Sequence, residues 1–228
     1  MKIYFIFASL LFVSTGFSQT KLNIGSNEVL VDLPDVKPVN NRLVVIAPAK
    51  KYTMNKPLFV DLSQRLVSQG YIVTRFNWSF VKTNSDPSSD LVKEGKELYN
   101  IISSIQKKYS VTKSNTYLVA KSFGSRVLMK SKIDGFDHVS LMTPNCDKKN
   151  SFHDTYAPMF KKKIRININI SIDDPYCDVE QIYDFVSSRS PKVTLFTTYG
   201  DHNFKTNKFS KENQELVLLQ IVNWIKQN

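Results

Sequence analysis

A serine, an aspartate and a histidine, in that chain order in the second half of the sequence, have the residue types that covalent acyl transfer requires. Ser122 lies in the pattern Ala120-x-Ser122-x-Gly124, with small residues two positions before and after it. This pattern is typical of a sharp strand-to-helix turn, which leaves no room for larger side chains and exposes the serine hydroxyl. We predict that Ser122 is a nucleophile. A serine that only capped a helix would not require small residues at 120 and 124.

Candidates for the acid and the base follow Ser122 along the chain. His202 comes directly after the last predicted strand, where its ring can reach the serine and accept the serine proton. The preferred acid is Asp174, which precedes Pro175 after another predicted strand, and Asp173 and Asp178 are alternatives. An Asp-Pro turn without a catalytic role would give the same local sequence. The prediction for Asp174 therefore depends on its occurrence together with the serine and the histidine.

These candidates need a fold that brings several strand ends together, and the hydrophobic pattern predicts such a fold. Apolar, β-branched runs alternate with amphipathic segments. We predict strands at 21–25, 27–34, 42–47, 71–76, 116–120, 138–143, 164–172 and 192–198, and helices at 57–69, 90–109, 124–131, 179–188 and 211–226. The segment 144–163 is predicted as a loop, too short for a substantial lid. The fold class is α/β: an N-terminal hairpin and a mostly parallel central sheet with helices on both faces.

Composition and charge exclude several classes of protein. The 228 residues suit one domain, and the seven glycines form no nucleotide-binding pattern. Two cysteines and three separated histidines have no metal-binding spacing, so we expect neither a metal nor another cofactor. The formal net charge of +11 makes acidic surfaces candidate contacts, including a membrane surface, although no strongly basic amphipathic segment supports membrane binding. The basic run 161–165 has no interleaved aromatic residues, so no nucleic-acid partner is expected.

Residues 1–18 have the organisation of a cleaved signal peptide. Lys2 precedes an apolar run at 3–13, and Gly16 and Ser18 are the small residues that a signal peptidase needs. A buried N-terminal strand is the alternative. No cysteine lies near the cleavage site, so a lipoprotein is not expected, and no apolar stretch is long enough to span a membrane. We therefore predict one exported domain over 19–228, either periplasmic or secreted.

The motifs together resemble the α/β-hydrolase superfamily, in particular the small lidless branch related to dienelactone hydrolase that includes the testis-expressed-protein-thirty type domains. The matching stretches are 46–57 (I-A-P-A-K-K-Y-T-M-N-K-P), 75–77 (R-F-N), 121–126 (K-S-F-G-S-R), 174–175 (D-P) and 201–204 (D-H-N-F). The resemblance covers nearly all of residues 19–228. It implies Ser122 as nucleophile, Asp174 as acid and His202 as base, in a hydrolase of carboxylic esters or related acyl substrates.

One loop departs from that family. Where the family has histidine and glycines, this chain has Pro-Ala-Lys-Lys-Tyr at 48–52, and proline has no N–H to offer an oxyanion. The expected oxyanion donors are the backbone N–H of Phe123 together with that of Ala49 or Lys50. The side chains of Lys50, Lys51 and Tyr52 would narrow the site, and the two lysines would either bind an anionic group or form a solvated pair. The alternative function is a non-catalytic binding or scaffold protein with a closed oxyanion hole.

The two cysteines also fit this arrangement. Cys146 and Cys177 each follow a predicted strand, and neighbouring parallel strands would bring both to one edge of the site. We predict a Cys146–Cys177 disulfide that restrains the Asp174 loop, because an exported protein meets oxidising conditions. Two free thiols are the alternative.

Overall fold

The structure, a computed structural model, describes residues 17–35, 41–146, 152–160, 164–188 and 192–228. Most of the predicted signal peptide, residues 1–16, lies outside the described residues, as do the lysines at 161–163. The strands are β1 (Ser18–Ile24), β2 (Asn27–Leu33), β3 (Leu43–Ala47), β4 (Ile72–Phe76), β5 (Thr116–Lys121), β6 (His138–Met142), β7 (Arg165–Ser171) and β8 (Val193–Thr198). The helices are α1 (Pro57–Val67), α2 (Ser79–Lys82), α3 (Val92–Tyr109), α4 (Phe123–Lys130), α5 (Phe152–Phe160), α6 (Val179–Ser187) and α7 (Ser210–Gln227).

The strands form one eight-stranded sheet in the order β1-β2-β4-β3-β5-β6-β7-β8. β1 and β2 form the expected N-terminal hairpin, and β2 also pairs antiparallel with β4. Every pair from β4 to β8 is parallel. Each connection between consecutive strands from β3 to β8 contains a helix, and these helices cover both faces of the sheet. The predicted fold class is confirmed.

Two apolar cores, one on each face, explain why the central strands consist of buried residues. All residues of β3 and β5 are buried. One face packs against α3, α4, α5 and α6, and the other packs against α1 and α7. A strand between two such layers is buried at every position, so apolar residues predominate along its whole length rather than at alternate positions. The ends of β3, β5, β7 and β8 are therefore held at fixed positions in a rigid sheet.

Two helices were not predicted. α5 lies within the segment predicted as a loop, and α2 is a single turn after β4. The buried residues Phe152, Tyr156 and Met159 of α5 have helical spacing, but a proline at 158 and the flanking lysines obscure this pattern in the sequence. α5 packs against α4 and α6, so it belongs to the helical layer and is not a lid.

Candidate active site

Ser122 occupies a strained turn between β5 and α4. Its backbone has φ 51° and ψ −114°, a conformation that non-glycine residues rarely adopt. The turn packs against the end of β3, because a Cβ atom at Gly124 would lie 2.5 Å from the carbonyl oxygen of Ala47. Ser125 stabilises the turn by donating its hydroxyl to the Ser122 carbonyl oxygen at 2.5 Å. The requirement for a small residue at 124 is therefore steric, as the sequence pattern indicated.

The structure brings Ser122, His202 and Asp174 into one hydrogen-bonded chain. His202 Nε2 lies 2.6 Å from Ser122 Oγ, and His202 Nδ1 lies 2.9 and 2.8 Å from the two carboxylate oxygens of Asp174. The Asp174 side chain is fully buried. The alternative acids lie elsewhere: Asp173 is exposed, and Asp178 caps α6 by accepting the Glu180 N–H at 2.9 Å.

The loop that carries Asp174 is restrained on both sides of the carboxylate. Cys146 and Cys177 form a disulfide with a Cα–Cα distance of 5.1 Å, which joins the segment after β6 to this loop. The Tyr176 N–H donates to Asp174 Oδ1 at 2.9 Å. The ring of Tyr176 packs edge-on against the imidazole of His202, with 4.6 Å between the ring centroids. One covalent bond and two local contacts thus fix Asp174 relative to His202.

The predicted oxyanion donors face the same cleft as Ser122. Ala49, Lys50 and Phe123 all line the cleft. Phe123 is the first residue of α4, so its N–H has no acceptor within the helix. In the described ranges, no acceptor is bonded to the backbone N–H of Ala49, Lys50 or Phe123. The carbonyl of Pro48 accepts a hydrogen bond from Trp78 Nε1 at 3.0 Å.

Residues 48–56, between β3 and α1, carry the predicted oxyanion donors Ala49 and Lys50 and are called the oxyanion loop below. Two residues of the R-F-N stretch hold the end of this loop. Arg75 donates to the Met54 carbonyl oxygen at 2.6 Å, and Asn77 Oδ1 accepts the Met54 N–H at 2.8 Å. Arg75 is buried and also binds both carboxylate oxygens of Asp32, at 2.8 and 3.2 Å. Burial alone would raise the pKa of Asp32, but hydrogen bonds from Arg75, Ser63 and Gln19 lower that pKa below its usual value.

A cleft of about 650 Å³ lies over Ser122 and His202. The predicted substrate contacts Lys50, Lys51 and Tyr52 line one wall. Lys50 Nζ lies 2.8 Å from an Asp86 carboxylate oxygen, in a largely exposed pair, whereas Lys51 is exposed. Tyr52 donates its hydroxyl to Asn203 Oδ1 at 2.5 Å. Burial, with a smaller contribution from the charge of Asp201, raises the pKa of the Tyr52 phenol. Tyr52 therefore connects the oxyanion loop to the residue after His202.

Sequence reasoning missed several supporting residues. The hydroxyl of Tyr156 of α5 donates to the Asn145 carbonyl oxygen at 2.9 Å, and its oxygen lies 2.7 Å from Ser125 Oγ. Arg75 and Asn77 were noted only as part of a motif. The sequence signal for a role was their position at the end of a buried strand, Arg75 within its last two residues and Asn77 directly after it. Over the residues with assigned positions, no three His, Cys, Asp or Glu side chains form a metal-binding group, and no helix is long and apolar enough to cross a membrane.

Comparison with known proteins identifies the fold. An α/β serine hydrolase homologue from Coxiella burnetii superposes with a TM-score of 0.69 at 19% identity, covering 90% of this chain and 97% of that one. A lidless α/β serine hydrolase from Xanthomonas campestris superposes with a TM-score of 0.67 at 17% identity, with 93% of each chain covered. The chain has the α/β-hydrolase fold. An esterase from Pyrococcus furiosus superposes with a TM-score of 0.66 at 12% identity, covering 94% of this chain and 93% of that one. No protein-family model and no curated protein matches the sequence.

The α/β-hydrolase fold explains why residues so distant in sequence meet. Triad residues of this fold follow the chain order serine, acid, histidine. In this chain, Ser122 follows β5, Asp174 follows β7 and His202 follows β8, all at the carboxyl edge of the sheet. The sheet therefore brings the predicted nucleophile, acid and base side by side.

Proposed function

We propose that the protein is a serine hydrolase that cleaves carboxylic esters or related acyl substrates. The observation that carries this proposal is the continuous hydrogen-bonded chain from Ser122 Oγ through His202 to Asp174, with every donor–acceptor distance between 2.6 and 2.9 Å. A base in contact with a hydroxyl and oriented by a buried carboxylate is the arrangement that activates a serine.

The reaction follows from this geometry. His202 Nε2 accepts the hydroxyl proton while Ser122 Oγ attacks the acyl carbon. The negative charge that develops on the carbonyl oxygen is stabilised by the Phe123 N–H and by the N–H of Ala49 or Lys50. His202 then protonates the leaving alcohol, leaving an acyl group on the serine. A water molecule deprotonated by His202 releases the acid and restores the enzyme, while Asp174 keeps the imidazole in the required tautomer.

The walls of the cleft suggest the kind of substrate. No insertion covers the cleft among the elements that the structure describes, so small or surface-exposed esters fit best. We propose that Lys50, Lys51 and Tyr52 contact the substrate on the oxyanion side. The motifs at 46–57 and 121–126 support membership of the branch related to dienelactone hydrolase, and one structural neighbour is described as an esterase.

The decisive experiment is labelling with a fluorophosphonate probe, which reacts only with activated serines. We expect the wild-type protein to be labelled and Ser122→Ala to be unlabelled. Ser104→Ala, an exposed serine on α3, is the matched control and should label like wild type. A folded wild-type protein that remained unlabelled would contradict the proposal and favour the scaffold alternative, with residues 48–52 as the cause.

A second experiment tests the choice of acid. Asp174→Asn should lower kcat by about 10³- to 10⁴-fold, because the amide stabilises the wrong histidine tautomer. Asp173→Asn removes the same charge one residue earlier, from an exposed side chain, and should have little effect. Equal losses in the two variants would rule out Asp174 as the specific partner of His202.

We also propose that the protein is exported. The sequence of residues 1–18 supports this proposal, and so does the Cys146–Cys177 disulfide, because disulfides persist in oxidising compartments. Cleavage after Ser18 would leave β1 almost intact. N-terminal sequencing of protein from the periplasm or the medium should find Gln19 as the first residue. Recovery of the whole chain from the cytoplasm, with Met1 or Lys2 at its start, would contradict export.

A further inference from the structure

Lys121 is a fully buried lysine directly before the proposed nucleophile. It is the last residue of β5, and its side chain is enclosed on all sides. Its Nζ donates to the hydroxyl of Thr143 and, at 2.6 Å, to the carbonyl oxygen of His202. Within the described part of the chain, no carboxylate lies in ion-pair distance of this ammonium. Burial of a cation that has only neutral acceptors is costly, so the position needs an explanation.

Lys121 contacts three separate segments around Ser122. Thr143 follows β6, whereas His202 and Phe204 belong to the loop after β8. The ring centroids of Phe204 and Tyr52 lie 5.3 and 6.0 Å from Nζ, and Tyr52 belongs to the oxyanion loop. Aromatic faces stabilise a desolvated ammonium group at such distances. One side chain therefore links β5, the end of β6, the histidine loop and the oxyanion loop.

Strained backbone is concentrated around the Lys121 side chain. Ser122, Thr143 and Phe204 have φ values of 51°, 38° and 60°. Positive φ is unfavourable for a β-branched threonine in particular. Such conformations persist only where surrounding contacts hold them. Lys121 is adjacent to the first of these residues and contacts the other two.

Near pH 7, the charged and neutral forms of the Lys121 amine are similarly populated. Burial lowers the pKa of this lysine to about 7, although the negative charges of Asp174 and Asp201 act in the opposite direction. The charged form makes the stronger hydrogen bond to a carbonyl oxygen. Attack by Ser122 separates charge into an imidazolium and an oxyanion. The Lys121 cation would repel the imidazolium and attract the oxyanion, so these two electrostatic effects on the reaction largely cancel. We therefore expect Lys121 to act mainly through its hydrogen bonds.

We propose that Lys121 is a positioning residue: by binding the His202 carbonyl and Thr143, it keeps the imidazole Nε2 within hydrogen-bond distance of Ser122. The proposal rests on the serine hydrolase function proposed above. It assigns to Lys121 a role in holding the base, with no direct contact to the substrate.

The test compares two substitutions of Lys121. Lys121→Met keeps the length of the side chain but removes the donor, whereas Lys121→Gln keeps a neutral donor. With p-nitrophenyl acetate as substrate, we expect Lys121→Met to lower kcat by about 10- to 100-fold with little change in KM, because small displacements of a catalytic group have effects of this size. Lys121→Gln should recover part of the loss. Lys107→Met, the same change at an exposed position, should behave as wild type.

Thermal unfolding separates positioning from a purely structural role. Removal of a buried cation should leave the Tm of Lys121→Met unchanged or raise it while kcat falls. A drop in Tm that parallels the loss of kcat would overturn the proposal, as would a kcat equal to that of wild type.

A proton NMR measurement keeps this test independent of hydrolysis. The His202 Nδ1–H bonded to Asp174 should give a downfield resonance that is absent in Asp174→Asn. We expect this resonance to shift or broaden in Lys121→Met. If the wild-type protein neither labels nor hydrolyses esters, the proposed function fails, but the resonance still tests the inference. An unchanged resonance in Lys121→Met would then refute the positioning role.

Discussion

Two buried cations, Arg75 and Lys121, support opposite sides of Ser122 and differ in how their charge is balanced. Arg75 holds the oxyanion loop through Met54 and binds Asp32 with two hydrogen bonds. Lys121 holds the histidine loop and donates only to neutral oxygens. Both side chains are almost inaccessible to solvent. Arg75 and its carboxylate partner form a structural ion pair. The burial of Lys121 without such a partner is better explained by a role in the site that it contacts.

The two sides also differ in covalent restraint. The Cys146–Cys177 disulfide joins the loop that carries Asp174 to the segment after β6. The oxyanion side depends instead on the Arg75–Asp32 pair, on the Met54 N–H bond to Asn77 and on the Trp78 bond to the Pro48 carbonyl. The comparison predicts that substitutions on the Arg75 side act mainly on stability and that substitutions of Lys121 act mainly on catalysis. The following predictions test this difference, from the largest expected effect to the smallest.

Substitution of Arg75 should have the largest effect on stability. Arg75→Met leaves the Asp32 carboxylate buried without its cation, which should lower the free energy of unfolding by about 3–5 kcal/mol. Urea denaturation measures this change. The double variant Asp32→Leu/Arg75→Met removes both charges and should recover most of the loss. If Arg75→Met unfolds at the same urea concentration as wild type, the Arg75 side does not act mainly on stability and the contrast with Lys121 fails.

Removal of the disulfide should have the next largest effect. Its cysteines are 31 residues apart, and opening a loop of that size should cost about 4 kcal/mol of stability. The double variant Cys146→Ser/Cys177→Ser should also have lower kcat, because Tyr176 and Asp174 are then held less firmly. Activity and stability can be compared with those of the reduced wild-type protein. Full activity in the double variant would show that the hydrogen bonds alone hold the acid loop.

Stability should depend on pH through Lys121. Its pKa is about 7 in the folded protein and 10.5 as the reference value, so between these values the unfolded chain binds more protons. Stability therefore rises with pH through this window, by about 2 kcal/mol from pH 7 to pH 9. Lys121→Met should lack this increment, whereas Lys107→Met should retain it. Parallel pH profiles for Lys121→Met and wild type would show that Lys121 is not a buried cation near neutrality.

Much of the fold could be predicted from the sequence because its signals are local. Buried β-branched runs marked the central strands, and small residues at 120 and 124 marked the turn at Ser122. The helix α5 was missed because its apolar spacing is short and contains a proline. For the same reason, the contact of Tyr156 with Ser125 could not be foreseen.

The supporting residues of the site were harder to predict because they act over long sequence distances. Lys121 and His202 are 81 residues apart, and Arg75 and Asp32 are 43 apart. A lysine before a nucleophile or an arginine in a strand carries no local sign of its partner. By contrast, Ser122, Asp174 and His202 each follow a strand, and the parallel sheet brings those strand ends together. Groups that follow parallel strands can therefore be expected to meet, whereas partners elsewhere in the chain carry no such signal.

The smallest expected effect is that of a substitution at Tyr52, where the oxyanion loop meets the histidine loop. Tyr52 of the oxyanion loop donates to Asn203 beside His202, and its ring also faces the ammonium of Lys121. Tyr52→Phe removes one partly exposed hydrogen bond, so it should cost about 1 kcal/mol and lower kcat/KM by less than about 10-fold. The ring of Tyr52 thus stays in place in this variant and can still pack against Lys121.

The double variant Tyr52→Phe/Lys121→Met measures the coupling between the two residues. Losses in kcat/KM that simply multiply would mean that the oxyanion loop and the histidine loop act independently. A combined loss different from that product would show that the sides act as one unit around Ser122, and the contrast between Arg75 and Lys121 would then apply to stability alone.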